Sequence, residues 1–369
     1  MTARPAAVTV PVPTDSTPTE EDPAAMSADV PAAAPRPFTV LQSFPEPRET
    51  TNPYVVMLRD ALDAVPGTRV LTFSWRRALT AHYDAFHAHW PEILVDGNGP
   101  LKKAVRQGLF VLFLLRLRAT RTPLVRTVHN LELPEGISRR ERVLLRWAER
   151  ATASRIRINE STELDAGTPV ETIVHGHYRD WYAPHPRRER RPGRLAFVGQ
   201  VRRYKGVDAL VEAFGETTDD GLSLRIAGRP TSEELAAHLR DAAAADPRIS
   251  LSLGFVPDAD LVGEVSEAEL VVLPYREMHN SGGALAALSL GTPVLVPDNA
   301  ANRRLAEEVG DGWVHTYTPP LTGADLTGTL ARLRAAPPAA APDLSRREWA
   351  DAGRAHVAAY RRARAALRR

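Results

Sequence analysis

Short apolar runs alternate with amphipathic stretches along most of the chain. FTVLQSF (38–44) has strand character and is followed by a Pro- and charge-rich loop and a helical pattern over 52–65. TRVLTFSW (68–75) and YDAFHAHW (83–90) read as further strands, and 100–118 as a long apolar helix. PLVRTVHN (123–130) predicts a strand, SRRERVLLRWAERATA (138–153) a helix, and RIRIN (155–159) and VETIVHG (170–176) two short strands. Strands that alternate with helices need crossover connections, so the pairing is expected to be parallel and the sheet doubly wound.

The segment APHPRRERRPG (183–193) interrupts this pattern with Pro, Gly and charge and reads as an interdomain linker. The alternation then restarts. Strands are expected at 194–201, 222–228, 248–256, 269–275 and 292–298, with helices at 207–214, 232–244 and 283–290 between them. Helices near 324–335 and 345–367 close the chain, separated by a Pro/Ala stretch at 336–342. The organisation that follows is an N-terminal Rossmann-like domain over 37–182, a second one over 194–343, and a basic helix within 344–369 that is either a basic tail or a helix crossing back to the first domain. Two such α/β units face each other across a cleft, and ligands in such sheets bind beyond the carboxyl ends of the strands. Residues 1–36, rich in Pro, Ala, Thr and Asp, bury too little apolar surface to order themselves and are expected to form a disordered tail.

Composition narrows the chemistry. The 369 residues hold no cysteine, which excludes disulfides, a thiolate nucleophile and Cys-ligated metals. Lys+Arg 47 against Asp+Glu 45 leaves +2, so bulk charge gives no reason to expect nucleic acid as a partner. No run reaches the roughly 20 apolar residues of a membrane span, and no basic start precedes an apolar core at the N-terminus, so a cytoplasmic location is expected. Lys occurs only at 102, 103 and 205 in a chain where Arg is the default cation.

Lys205 lies in VGQVRRYKG (198–206), where Gly199, Arg202, Arg203 and Gly206 join a strand to a helix. Such a turn presents free N–H groups and a helix N-terminus, both favourable to anions. A second turn of this kind, REMHNSGG (276–283), follows the strand at 269–275, with Ser281 as a candidate N-cap and Gly282 and Gly283 permitting close approach. Two anion-binding turns at strand ends in one domain suit a diphosphate.

With these motifs, PYREMHNSGGALAALSLGTPVLVPD, FHAHWPE, RTVHN and VHGHYRDWY, the chain resembles the two-Rossmann-domain (GT-B) glycosyltransferases, the large family of bacterial mannosyl- and glucosyltransferases of glycolipid and exopolysaccharide synthesis, over about residues 38–335. The resemblance implies transfer of a hexose from a nucleotide-diphosphate sugar, GDP-mannose or a UDP-sugar, to a glycan or glycolipid acceptor, without a cofactor. The second domain would hold the donor and the first the acceptor. Gly199, Arg202 and Lys205 would meet the donor phosphates, and Asn280, Ser281, Gly282 and Gly283 would cradle the diphosphate. Phe255, Val256 and Pro257 would lie beside the nucleobase, with Gly228 and Arg229 lining the same pocket. Two departures stand out. Gly199-Gln200-Val201 replaces the family's Gly-Arg-Leu, so phosphate charge must come from Arg202 or Arg203. Retaining members carry two Glu around the second loop; here Glu277 is the single candidate and Ala286 occupies the place of the other.

An inverting transfer needs a general base facing the anomeric carbon. Glu92, His89 and His129 are candidates, His129 being the position that approaches the transferred sugar in the resembling family. His-x-His at 87 and 89 could chelate a metal, but no carboxylate cluster completes a site, so no metal is expected. Thr50, Thr51 and Asn52, before the first helix, serve either as N-caps or as acceptor or phosphate contacts. Helix 101–121, apolar from Leu109 to Leu115 with basic flanks, is either a sheet-covering helix or a peripheral contact for an anionic membrane, at the inner face of the cell membrane. A sugar-nucleotide epimerase on the same fold and a non-catalytic sugar-nucleotide-binding protein are the alternatives.

Overall fold

The computed structural model describes residues 36–130, 133, 136–276, 278 and 282–369. The tail expected at 1–36 therefore lies, Arg36 aside, outside the described residues.

The first half contains β1 (Phe38–Gln42), α1 (Pro53–Asp63), β2 (Thr68–Leu71), α2 (Trp75–Thr80), β3 (Ala85–Ala88), α3 (Glu92–Val95), α4 (Pro100–Ala119), β4 (Leu124–Val128), α5 (Arg139–Arg150), β5 (Thr152–Arg157), β6 (Val170–Thr172) and α6 (Arg179–Tyr182). Its sheet runs β2-β1-β3-β4-β5-β6, with every pairing parallel. The second half contains β7 (Arg194–Val198), α7 (Val207–Gly215), β8 (Ser223–Ala227), α8 (Glu233–Ala245), β9 (Ile249–Ser252), α9 (Asp258–Glu267), β10 (Leu270–Val272), α10 (Gly282–Ser289), β11 (Val294–Pro297), α11 (Ala300–Val309), β12 (Val314–Tyr317), α12 (Gly323–Ala335) and α13 (Trp349–Arg368). Its sheet runs β12-β11-β10-β7-β8-β9, again all parallel. These are the two doubly wound strand orders, and each reverses direction once, between β1 and β3 and between β7 and β10.

The central strands RLAFV, LVV and VLVP are apolar apart from Arg194, because helices cover both faces of a parallel sheet. Leu195, Phe197, Leu270, Val272 and Leu295 are fully buried, each worth about 1.5–3 kcal/mol of burial. Capping boxes fix two helix starts, Ser138 with Glu141 on α5 and Thr322 with Asp325 on α12.

Several strand ends differ from the sequence reading. The strand expected over 68–75 stops at Leu71, because Ser74 caps α2 through the Arg77 N–H. β9 stops at Ser252 instead of 256, and the segment 170–176 keeps only three strand residues. α9, α11 and the four-residue β12 stand where the sequence reading placed no element. The segment 183–193 is fastened to the second half: the Arg188 N–H donates to Ser266 Oγ at 2.9 Å and the Arg191 N–H to the Glu267 carbonyl at 2.8 Å.

α13 crosses back onto the first half. Gly353 packs against α1 so closely that a Cβ would sit 2.4 Å from the Ala61 carbonyl. The Tyr360 hydroxyl, fully buried, reaches His87 Nδ1 at 2.7 Å. The indole of Trp349 donates to the His177 carbonyl at 2.7 Å and fills the space above Gly176, where a Cβ would lie 2.3 Å from the ring. α4 covers the sheet with Phe110, Phe113, Leu114 and Leu117 and leaves Leu101, Val105, Leu112 and Leu115 exposed. Among the described residues no helix is long and apolar enough to cross a membrane.

Candidate active site

At the β7–β10 reversal, backbone geometry shapes the turn over 199–206. Gly206 adopts φ 63°, and a Cβ there would lie 2.1 Å from the Pro274 carbonyl, so only glycine fits. The turn is tied to the loop after β10 by the Arg276 N–H donating to the Tyr204 carbonyl at 2.9 Å. Gly228 is needed for a similar reason: its Cβ position lies 1.7 Å from the Gly199 carbonyl. Its demonstrable role is thus close packing of the β7 and β8 ends.

The cations divide sharply. Arg203 is bound to Glu234 at 2.6 Å and Arg276 to Asp208 at 2.8 Å. The exposed Arg202 side chain makes no hydrogen bond or ion pair among the described residues, while its carbonyl accepts from the Lys205 N–H at 2.9 Å. Lys205 curls back over the end of β7, its ammonium 5.3 Å from the Tyr275 ring centroid and within 3.7 Å of the Cβ position of Gly199. Burial, and then the charge of Arg202, push its pKa down to about 8. An anion beside Lys205 would relieve both effects. Gly282 and Gly283 open α10 as expected. Glu277, Asn280 and Ser281 lie outside the described residues. Phe255 is exposed and Val256 half-buried, beyond the end of β9 and two strands from the reversal.

At the β1–β3 reversal the chain gathers rings instead. The His89 N–H donates to Ser43 Oγ at 2.9 Å, and its Nε2 meets Gln42 Oε1 at 3.1 Å. His89 Nδ1 lies 3.2 Å from His129 Nε2, so one of the two rings donates to the other there. His129 stacks on Trp90 with ring centroids 4.3 Å apart and meets the edge of Tyr54 at 5.2 Å. Tyr54 continues to His175 at 4.6 Å, and His175 Nε2 lies 3.3 Å from the Tyr178 hydroxyl. That hydroxyl is 3.3 Å from the Cβ position of Gly282. A continuous row of rings thus runs from the candidate bases to the first turn of α10. Burial, aided by His175 and Arg126, holds the His129 pKa down to about 3; burial, aided by Arg347, holds His175 down to about 4. Both rings are neutral over the physiological range. Glu92, at the start of α3, is half-buried, and burial raises its pKa.

The structure corrects or narrows other expectations. Thr51 Oγ1 accepts from the Arg48 N–H at 2.8 Å and Asn52 Oδ1 from the Tyr54 N–H at 3.0 Å, so both close the turn and cap α1; Thr50 is exposed. His87 bonds Thr127 and Tyr360 and is fully buried, which removes it from any His-x-His chelate. Among the described residues no group of three His, Cys, Asp or Glu could hold a metal ion. Tyr54, Trp90 and Tyr178 were missed as site residues, although Trp90 and Tyr178 stand inside motifs already singled out.

Residues 192–333 match the family model described as "Glycosyl transferases group 1". A curated relative from Xanthomonas campestris pv. campestris, named GDP-mannose:glycolipid 4-beta-D-mannosyltransferase, is 45% identical over 329 residues, covering 89% of this chain and 93% of the relative. The chain belongs to the GT-B glycosyltransferases. Solved structures agree on the fold of the glycosyltransferase. Anabaena HepE in complex with UDP has a TM-score of 0.56 at 15% identity, over 90% of this chain and 97% of that one. The sucrose-phosphate synthase of Thermosynechococcus elongatus has a TM-score of 0.55 at 13% identity, over 89% and 94%. In this glycosyltransferase Ala286, on α10, is buried in the core.

Proposed function

We propose that this glycosyltransferase moves mannose from GDP-mannose to a glycolipid with inversion at the anomeric carbon. The observation that carries this reading is the 45% identity, over nearly the full length of both chains, to a relative whose name states that donor, that acceptor class and a β-linkage. GDP-mannose carries its mannose in α-linkage, so a β-product needs inversion. Ala286 in place of a second Glu accords with that. The acceptor hydroxyl attacks opposite the diphosphate, and its proton passes to a base. The diphosphate leaves toward Lys205, Arg202 and the N–H groups opening α10, cations and dipoles that offset its growing charge without a metal.

His129 is the base in this reading. It enters the reaction neutral, and the negative donor diphosphate raises its basicity. The test is turnover of GDP-mannose against GDP-glucose, UDP-glucose and UDP-galactose with a lipid-extract acceptor. β-Mannosylated product from GDP-mannose alone supports the reading, and an α-linked product or another donor overturns it.

A glycolipid acceptor brings the enzyme to a bilayer, and the outer face of α4 and α5 supplies an apolar, basic surface. Leu101, Val105, Leu112 and Val143 are exposed beside the exposed Lys102, Arg139, Arg140 and Arg142. Lys103, Arg106 and Arg116 are engaged elsewhere: Lys103 binds Glu141 at 2.8 Å, Arg106 the Asp96 carbonyl at 2.6 Å, and Arg116 Tyr83. Binding to anionic but not neutral vesicles, reduced by charge reversal at Lys102, Arg139 and Arg140, is the expected result.

A further inference from the structure

A cavity of about 320 Å³ is lined by residues of β4, β5 and α5 and by the segment 163–165, with none from the donor turns. Its rim carries Pro91 and Asn130, the chain neighbours of Glu92 and His129, and Arg126 in its wall acts electrostatically on both of those groups. Its lining mixes apolar residues, among them Val128, Leu145 and Leu164, with the polar Arg155, Glu149 and Asp165. Such a mixture suits a pyranose, which has both C–H faces and hydroxyl groups. The volume is at the small end of ligand pockets, roughly 300–1,000 Å³, too small for a nucleotide sugar and suited to a sugar unit.

The polar lining is a built site. Glu149 joins Arg126 and Arg155, the latter at 2.7 Å, and Arg155 also holds Asp165. These pairs set the guanidinium planes and balance their charge. Yet Arg155 is only 8% exposed and its Nε–H has no partner, as is true of the Arg126 Nε–H. A buried donor left unmade is costly unless a ligand or water completes it, and hydroxyl oxygens of a sugar are suitable acceptors.

We propose that this cavity is the subsite for the terminal sugar of the acceptor, holding it by its hydroxyl groups so that the reacting one lies at the Glu92–His129 rim. This rests on the glycosyltransferase reading above and adds the place and chemistry of acceptor recognition. Saturation-transfer NMR on the full chain with saturating GDP tests it, using methyl β-D-glucopyranoside and its manno and galacto epimers as probes. At least one probe should receive saturation from the wild-type protein. Leu164→Trp, which fills the cavity, should reduce that signal to background while GDP affinity stays within twofold. If Leu164→Trp fails to fold, the double variant Arg146→Ala/Glu163→Ala, at exposed rim positions, should weaken probe binding at least fivefold. No signal on the wild-type protein, or an undiminished signal in the variants, overturns the subsite. Failure of the wild-type protein to bind GDP overturns the donor reading instead.

Discussion

The two sheets reverse direction in different chemical surroundings. Between β1 and β3 the strand ends deliver His89, Trp90 and, from neighbouring elements, Tyr54 and His129, packed ring on ring and uncharged. Between β7 and β10 they deliver Gly199, Gly206, Lys205 and Arg202, with open backbone and positive charge. Under the proposed function the same topology supplies a place to position and deprotonate a neutral nucleophile and a place to hold an anionic leaving group. Burial is the physical variable that separates them. It neutralises imidazoles in the first crevice, while in the second it leaves Lys205 poised near neutrality until an anion arrives.

The sharpest break of this division is at its centre. His129→Ala should lower kcat by about 10²–10⁴, the usual range for removing a general base, while GDP affinity measured by calorimetry stays unchanged. Glu92→Gln should cost less than His129→Ala in the same assay. The opposite ranking would transfer the base to Glu92, and loss of GDP binding in His129→Ala would erase the distinction between the two crevices.

Lys205→Ala should act on the other side. Losing one charge-assisted contact costs on the order of 1.5–3 kcal/mol, so GDP affinity should fall about 10- to 150-fold with the fold intact. An unchanged affinity would mean that the second crevice binds the diphosphate through backbone alone.

The pH dependence follows from the same residues. Lys205 binds an anion best when protonated, and in the free protein its pKa is about 8. Donor affinity should be flat below pH 7 and fall toward tenfold per pH unit above pH 8, a limb that Lys205→Ala abolishes. His129, held down to about 3, stays deprotonated across pH 5–8 and should contribute no acid limb there. An acid limb lost in His129→Ala would show that its environment is less apolar than the ring packing implies.

The two crevices were unequally legible in sequence. The second announces itself locally, because a Gly-rich turn with a rare Lys between strand and helix is contained in nine residues. Even there, the division of labour between Arg202 and Arg203 was hidden, since Glu234 lies on α8, far along the chain. The first crevice is assembled from four separate segments around 42–44, 54, 89–90 and 129, and its rings meet only through the β2-β1-β3-β4 order. The histidines were visible as residues, but Tyr54, which sits at the centre of their packing, looks like any apolar position of α1. Strand and helix alternation is legible where apolar runs are long; the sequence reading places no element at β12 or at the helices α2, α3, α6, α9 and α11, which lie between those runs.

The smallest expected effect tests how far neighbouring charges are distinct. Arg202 and Arg203 are adjacent, both exposed and both cationic, yet Arg203 bonds Glu234 at 2.6 Å and Arg202 has no such partner among the described residues. An exposed pair of this kind contributes about 0–1 kcal/mol to stability, so Arg203→Ala should fold normally. It should also bind GDP within twofold of wild type, because its charge is already matched by a carboxylate. Arg202→Ala, in contrast, should lose several-fold in GDP affinity, less than Lys205→Ala because an exposed guanidinium is well screened by water and salt. Calorimetric titration of both variants decides the matter. Equal losses would mean that Glu234 releases Arg203 when the donor arrives, and that the turn closes on its anion instead of waiting preformed.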